Sequence, residues 1–302
     1  MSTFKKALFQ LHVFVFLAGL TGPLGYLIHL NGLFLVFYRM LLTVLILQIL
    51  YYFKKEKSTY SVATKFKLLG VGVIIALHWV CFYGSIKLAN VSIALVCFSS
   101  TSMFTSFIEP IIAKTKVKWR EILIGGLSFI GIMLIFQFDT KFRSGIVVGL
   151  LSALLAAIFS VLNKGITKKV DTHTIQVFEM TGGLLFLTPI VFIVGIVHHA
   201  SFQMPTAMDW FWLSILAIGC TVLSNHLMLS ALKHISAFTL NVTLNLEPVY
   251  GIILAFILFK EQKQLGNSFY IGLILIVCSV LIQMIRIVKY NNSKNNPLRT
   301  VI

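Results

Sequence analysis

The sequence predicts an all-α polytopic membrane protein, with ten transmembrane helices arranged as two inverted five-helix repeats. Three observations predict this: an apolar composition, ten apolar runs of bilayer length, and a one-sided distribution of Lys and Arg over an internal repeat. Of the 302 residues, 58% are hydrophobic and only 11% are charged, whereas soluble domains carry about a quarter charged residues. The mean hydropathy is +0.94. No polar stretch is long enough to build a soluble catalytic domain. At roughly 20 residues per crossing, the chain has room for about ten spans.

The apolar runs lie at 7–29, 32–53, 68–89, 91–113, 120–138, 144–163, 174–197, 209–231, 235–259 and 266–288. Each fits one helical crossing. None alternates in polarity as the strands of a membrane barrel do. The first run follows Lys5-Lys6 as a signal peptide would, but it is too long and lacks a small-x-small cleavage site, so it reads as an uncleaved span.

The formal net charge is +16. In a soluble protein this would suggest nucleic acid. Here the cause is simpler, since cytoplasmic loops of membrane proteins collect Lys and Arg. With the N-terminus inside, 19 of the 25 basic residues fall on the cytoplasmic side and five outside, and Arg39 is left within the membrane. This bias predicts cytoplasmic N- and C-termini and an even number of spans. The Asn-rich tail after Tyr290 is expected to be disordered in the cytoplasm. Cys81, Cys97, Cys220 and Cys278 all lie in apolar runs without a CxxC pair. They read as buried hydrophobes, with no disulfide framework and no zinc site.

A shift of 146 residues aligns the two halves without a gap over some sixty residues, bringing Lys114 onto Lys260 and Gly126-Leu127 onto Gly272-Leu273. A shift of 140 brings Arg39 onto Glu179. The halves are expected at 1–140 and 141–290, with 291–302 as a polar tail. Five spans is an odd number, so the second copy must enter the membrane upside down. Such inverted repeats rock about a site at the midplane in many secondary transporters.

Taken in chain order, span 1 carries Gly19, Gly22, Pro23 and Gly25, an interruption that points to a binding site. Its repeat mate carries Asn163. Arg39 in span 2 lies about 12 Å from the outer end at 1.5 Å per residue. It supplies either a counter-charge for an anionic substrate group or a structural ion pair. His78, Trp79 and Tyr83 in span 3, and Asn225 and His226 in span 8, either shape a cavity or pack. Ser99-Ser100-Thr101-Ser102 sit near mid-membrane in span 4. They either glue helices or line the cavity, Thr101 being the repeat mate of Glu247. Glu109 near the inner end of span 4 is either a gating group or lies among headgroups. Glu179 in span 7 either joins a cross-repeat network or packs. In span 9, Asn241, Asn245 and Pro248 share one helical face, and Thr243 and Glu247 form a second i, i+4 pair. Pro248 frees a carbonyl one turn earlier, so a kinked polar helix is expected: either it lines a cavity, with Glu247 binding a cation or proton, or neighbouring helices satisfy the freed groups.

No HExxH, Walker-type or GxSG motif is present. No cofactor is expected, and ATP drive is not indicated. His198-His199 are adjacent, so their side chains project apart on a helix and make a poor chelate.

These features resemble the EamA branch of the drug/metabolite transporter superfamily. The most specific segment is ALKHISAFTLNVTLNLEPVYGIILAFILFKE, from Ala231 to Glu261, and Arg39 stands in YRMLL. Ser102 stands where many members have proline. The resemblance implies a bacterial inner-membrane carrier, commonly an exporter of amino acids or related metabolites, with a cavity lined by spans 1, 3, 4, 6, 8 and 9. The expected partners are a small-molecule substrate and the bilayer, with a homodimer left open. A channel and a membrane-embedded enzyme are the alternatives.

Overall fold

The protein is described from a computed structural model covering residues 3–53, 59–138, 140–197 and 203–294. Lys54, Lys55, Glu56, Lys57, His198, His199 and the chain beyond Lys294 lie outside the described residues. The described residues are helical, without strands. The helices are α1 (Thr3–Gly19), α2 (Thr21–Leu27), α3 (Gly32–Tyr52), α4 (Val62–Leu88), α5 (Val91–Phe98), α6 (Thr101–Ala113) and α7 (Trp119–Phe138). They continue with α8 (Arg143–Ile166), α9 (Thr172–Val197), α10 (Ala207–Ala217), α11 (Ser224–Leu232), α12 (Ala237–Leu244), α13 (Glu247–Phe259) and α14 (Asn267–Lys294). A π-helical segment, Ile218–Leu223, joins α10 to α11.

Among the described residues, eight helical stretches are long and apolar enough to cross a membrane. Large apolar side chains such as Phe16, Leu45, Ile193, Ile257 and Ile274 face outward. In water such a surface would drive association; in a bilayer it meets acyl chains. Packing between helices uses small residues, as expected where lipid removes the hydrophobic drive between spans. Gly72 of α4 lies against the Glu179 carbonyl of α9, and Gly131 of α7 lies against Gly272 of α14, so a side chain at either glycine would meet backbone.

Several runs expected as continuous helices are broken. The first run breaks at Leu20, between α1 and α2. The fourth breaks at Ser99-Ser100 and the ninth at Asn245-Leu246. The ninth run does not kink at Pro248 itself: Pro248 sits in the first turn of α13, where a missing N–H costs nothing. At Asn245 the backbone tightens, Asn245 N donating to the Val242 carbonyl and Leu246 N to the Thr243 carbonyl. At Ser99 the same occurs, Ser99 N donating to Val96 and Ser100 N to Cys97. The tail expected to be disordered from Tyr290 instead continues α14 as far as Lys294, because Asn and Ser extend an existing helix at small cost.

The 146-residue shift maps element boundaries onto each other. It carries α5 onto α12 and α6 onto α13, end to end. It also carries Lys114 onto Lys260, the two non-glycine residues with positive φ among those described (52° and 56°). Both close a helix in the left-handed conformation. α5 packs on α13 and α6 on α12, so the two broken spans lie alongside each other in antiparallel directions, with their breaks adjacent.

Candidate functional site

The breaks open the centre of the bundle. A cavity of about 70 Å³ lies there, lined by Arg39, His78, Trp79, Asn225, Asn241 and Glu247. Thr21, Ser160 and Ser224 add hydroxyls, and Phe14, Phe82, Phe98, Phe159 and Met228 add apolar wall. At about 10–15 Å³ per water-sized probe, the space admits a group of a few heavy atoms in this conformation.

Arg39 is 2% exposed, and a buried guanidinium must be hydrogen-bonded. Its Nε donates to Thr221 Oγ1 (2.8 Å), one terminal nitrogen to the Tyr83 hydroxyl (2.7 Å), and the other to the Cys220 carbonyl (3.1 Å). The π-helical turn explains the last contact. Widening the helix takes a carbonyl out of the usual i→i+4 ladder, and here Cys220 turns its carbonyl to the guanidinium. The Trp79 ring lies 4.0 Å from the guanidinium carbon, a cation–π contact within the protein. Trp79 and Tyr83 thus hold Arg39. Tyr83 stands behind it and does not line the cavity. Every acceptor of Arg39 is neutral, and three of its five N–H groups are used, so donors remain.

Glu247 is 3% exposed and begins α13. Among the described residues no hydrogen bond or ion pair engages its carboxyl group. The group therefore faces the same cavity as the spare donors of Arg39.

His78 is fixed by Ser152. Its Nδ1 lies 2.8 Å from the Ser152 hydroxyl and 2.9 Å from the Ser152 carbonyl. Asn241 donates to Thr105 Oγ1 (2.8 Å) and Ser160 Oγ (2.7 Å), tying α12 to α6 and α8 across the cavity floor.

The other residues singled out from the sequence lie elsewhere. Asn245 is buried at the break, off the cavity. Its amide fits with the nitrogen donating to the Ser99 carbonyl (3.0 Å) and the Asn241 carbonyl (3.2 Å), and the oxygen accepting from Ser102 (3.3 Å). It thereby satisfies the Asn241 carbonyl left over by the tightened turn. Thr101 is buried and donates to the Phe98 carbonyl of its own span (2.6 Å), so this hydroxyl run packs. Asn163 Nδ2 lies 3.4 Å from Glu179 Oε2, away from the cavity, and among the described residues Asn163 Oδ1 and Glu179 Oε1 are buried without a hydrogen-bond partner. Arg39 and Glu179 do not pair. His226 points to the exposed side of α11, since its neighbour Asn225 takes the inward position and adjacent helical residues diverge. Glu109 accepts hydrogen bonds from Ala237 N (3.3 Å) and Phe238 N (2.9 Å), at the start of α12. It does not line the cavity.

Thr221, Ser152 and Ser160 take part without having been singled out, and Cys220, read from the sequence as a buried hydrophobe, lines the cavity and offers its carbonyl to Arg39. A hydroxyl at helical spacing from a buried Arg or His across spans carries no sequence signature. A π-helical turn carries none either. Among the described residues, no group of three His, Cys, Asp or Glu side chains is placed to hold a metal ion.

Comparison with known proteins gives two matches to one family model, the EamA-like transporter family, at residues 5–137 and 143–285. A protein named an uncharacterized transporter in Archaeoglobus fulgidus is 24% identical over 257 residues, covering 82% of this chain and 85% of that one. Uncharacterized transporters of Synechocystis sp. and Bacillus subtilis are 21% and 22% identical, covering 67% and 62% of this chain. The alignments span less than two thirds of those two relatives, 60% and 58% of their lengths. One crystal structure, described only as that of a protein, superposes with a TM-score of 0.65 at 13% identity. It covers 91% of this chain and 96% of that one, a likeness of fold alone.

Proposed function

Because the chain belongs to the EamA-like transporter family, and is thus a membrane transporter, we propose that it exports amino acids or closely related small metabolites by alternating access. Ten spans form two inverted five-helix repeats, 1–140 and 141–290, with both termini in the cytoplasm of a bacterial inner membrane. The residues from 291 onward form the cytoplasmic end.

One observation carries the substrate reading: spare guanidinium donors of Arg39 and an unengaged carboxyl group of Glu247 open onto one central cavity. A zwitterion complements that pair. Its carboxylate takes the Arg39 donors in the charge-assisted geometry that guanidinium favours. Its ammonium, or a transported proton, goes to Glu247. Asn225 and Asn241 add neutral polar contacts, and the aromatic wall takes the side chain.

The test is amino-acid flux in proteoliposomes across a range of pH, comparing Glu247→Gln with the parent. Loss of flux together with its pH response is expected. Unchanged flux and unchanged pH response would remove Glu247 from the mechanism.

A further inference from the structure

Outside the cavity, two acidic side chains do the same thing at opposite ends of the molecule. Glu261 follows α13, and its carboxylate accepts from Val91 N (3.0 Å) and Ser92 N (3.0 Å) and from the Ser92 hydroxyl (2.6 Å), all at the start of α5. Glu109 lies in the last turns of α6, and its carboxylate accepts from Ala237 N and Phe238 N at the start of α12. The shift of 146 carries Val91 and Ser92 onto Ala237 and Phe238. The receiving ends are therefore equivalent, although the two glutamates are not: the mate of Glu261 is Thr115.

A helix start leaves its first amides without partners. Here the third is taken locally, by Asn90 Oδ1 at Ile93 N (2.8 Å) and by Ser236 Oγ at Thr239 N (3.0 Å). The first two are left for a carboxylate from the other half of the chain. A negative group at that position also meets the positive end of the helix dipole. Both contacts join the two halves. The paired broken spans run 23 residues each, so the contacts sit about 30 Å apart, near opposite bilayer surfaces.

We propose that Glu109 and Glu261 are the latches of the two gates. Glu261 closes the outer ends of the broken spans, and Glu109 closes the inner ends. Opening on one side requires one carboxylate to leave its helix start, where water at the membrane surface receives both partners. The other latch stays closed. This inference rests on the alternating-access reading.

Cys220 lines the cavity at 5% exposure and provides a built-in reporter. Replacing Cys81, Cys97 and Cys278 by alanine leaves it as the sole thiol. In oriented vesicles, a membrane-impermeant maleimide then reports access from each side. Glu261→Gln is expected to raise the labelling rate from the outer face roughly tenfold, the scale of one weakened charge-assisted hydrogen bond, with no rise from the inner face. Glu109→Gln is expected to do the reverse. Ser92→Ala and Glu109→Asp are milder variants that give the same readout if either Gln variant fails to fold. Unchanged rates, equal rises from both faces, or a rise on the wrong face overturn the latches. The readout needs no substrate, so absent amino-acid flux with side-specific labelling removes the substrate reading and leaves the latches standing.

Discussion

Span 4 and span 9 are built on one backbone plan and furnished differently. In each, an eight-residue helix stops, two residues tighten the turn, and a 13-residue helix follows, ending on a left-handed lysine. In each, the side chain at the break reaches back toward the carbonyl one turn earlier: Ser99 toward Leu95, and Asn245 toward Asn241. In span 4 the positions around the break hold hydroxyls that bond to their own backbone. In span 9 they hold Asn241 and Glu247, which reach the cavity. The break is thus a structural device carried by both copies, and the polar side chains that reach the cavity stand on one of them. The symmetry of the fold says where a cavity can open; the asymmetry of the side chains says which wall of it is polar.

The most direct way to break this comparison is to substitute both members of an equivalent pair. Glu247→Gln should lower transport roughly a hundredfold or more, the scale of removing one member of a desolvated charge pair. Thr101→Val, at the equivalent position, should leave transport within about threefold, because the Thr101 hydroxyl bonds within its own span and does not line the cavity. Equal losses in a flux assay would mean that span 4 also carries substrate chemistry. Arg39→Lys sharpens the same point with a smaller effect. It keeps the charge but loses the planar fork that engages Thr221, Tyr83 and Cys220 together. An affinity loss of about tenfold is expected, measured by substrate-induced thermal stabilisation of the purified protein. An unchanged affinity would remove the guanidinium from recognition.

What could be read from the sequence follows the same division. The apolar runs, the repeat and the interruption in span 1 were legible because lipid imposes length and hydropathy on every span. The breaks at Ser99 and Asn245 were not, since Ser, Thr and Asn inside an apolar run look like tolerated polar residues. Proline drew attention to Pro248, but the turn lies just before it. Arg39, His78, Trp79, Asn225, Asn241 and Glu247 were legible as polar or aromatic groups at depth. That Tyr83 stands behind Arg39, and that His226 turns outward while Asn225 turns in, depends on helix rotation, which no pattern here specified. Glu261 was passed over because it sits in a polar connection, where a carboxylate looks solvated; its partner is a helix start 170 residues away.

The two break residues differ in how much they hold together. Asn245 reaches Ser99, Ser102 and its own span, so Asn245→Ala strands several buried groups. A loss of about 1–2 kcal/mol is expected, the upper range for polar contacts between spans. The hydroxyl of Ser99 reaches the Leu95 carbonyl only at 3.5 Å, so Ser99→Ala should cost less than about 0.5 kcal/mol. Melting temperatures in detergent compare the two, and the reverse order would mean that the break in span 4 is the one that anchors the bundle.

The smallest effect is expected at the residue that looks most consequential. Pro248 occupies the first turn of α13, where the ring fits the helix and the missing N–H has no intrahelical partner to lose. Span 4 breaks at the equivalent place with Ser102 in that position, so the turn does not need proline. What the two breaks share is the tightened backbone, Ser99 and Ser100 in one span and Asn245 and Leu246 in the other donating three residues back. Pro248→Ala should therefore leave the break in place. It should cost within about 1 kcal/mol, mainly through a more flexible unfolded chain, and keep transport within about threefold. Flux and melting temperature measured on one preparation decide it. A large loss of transport at unchanged stability would show that span 9 bends by a different cause from span 4, and the two spans would then share a shape without sharing its physical origin.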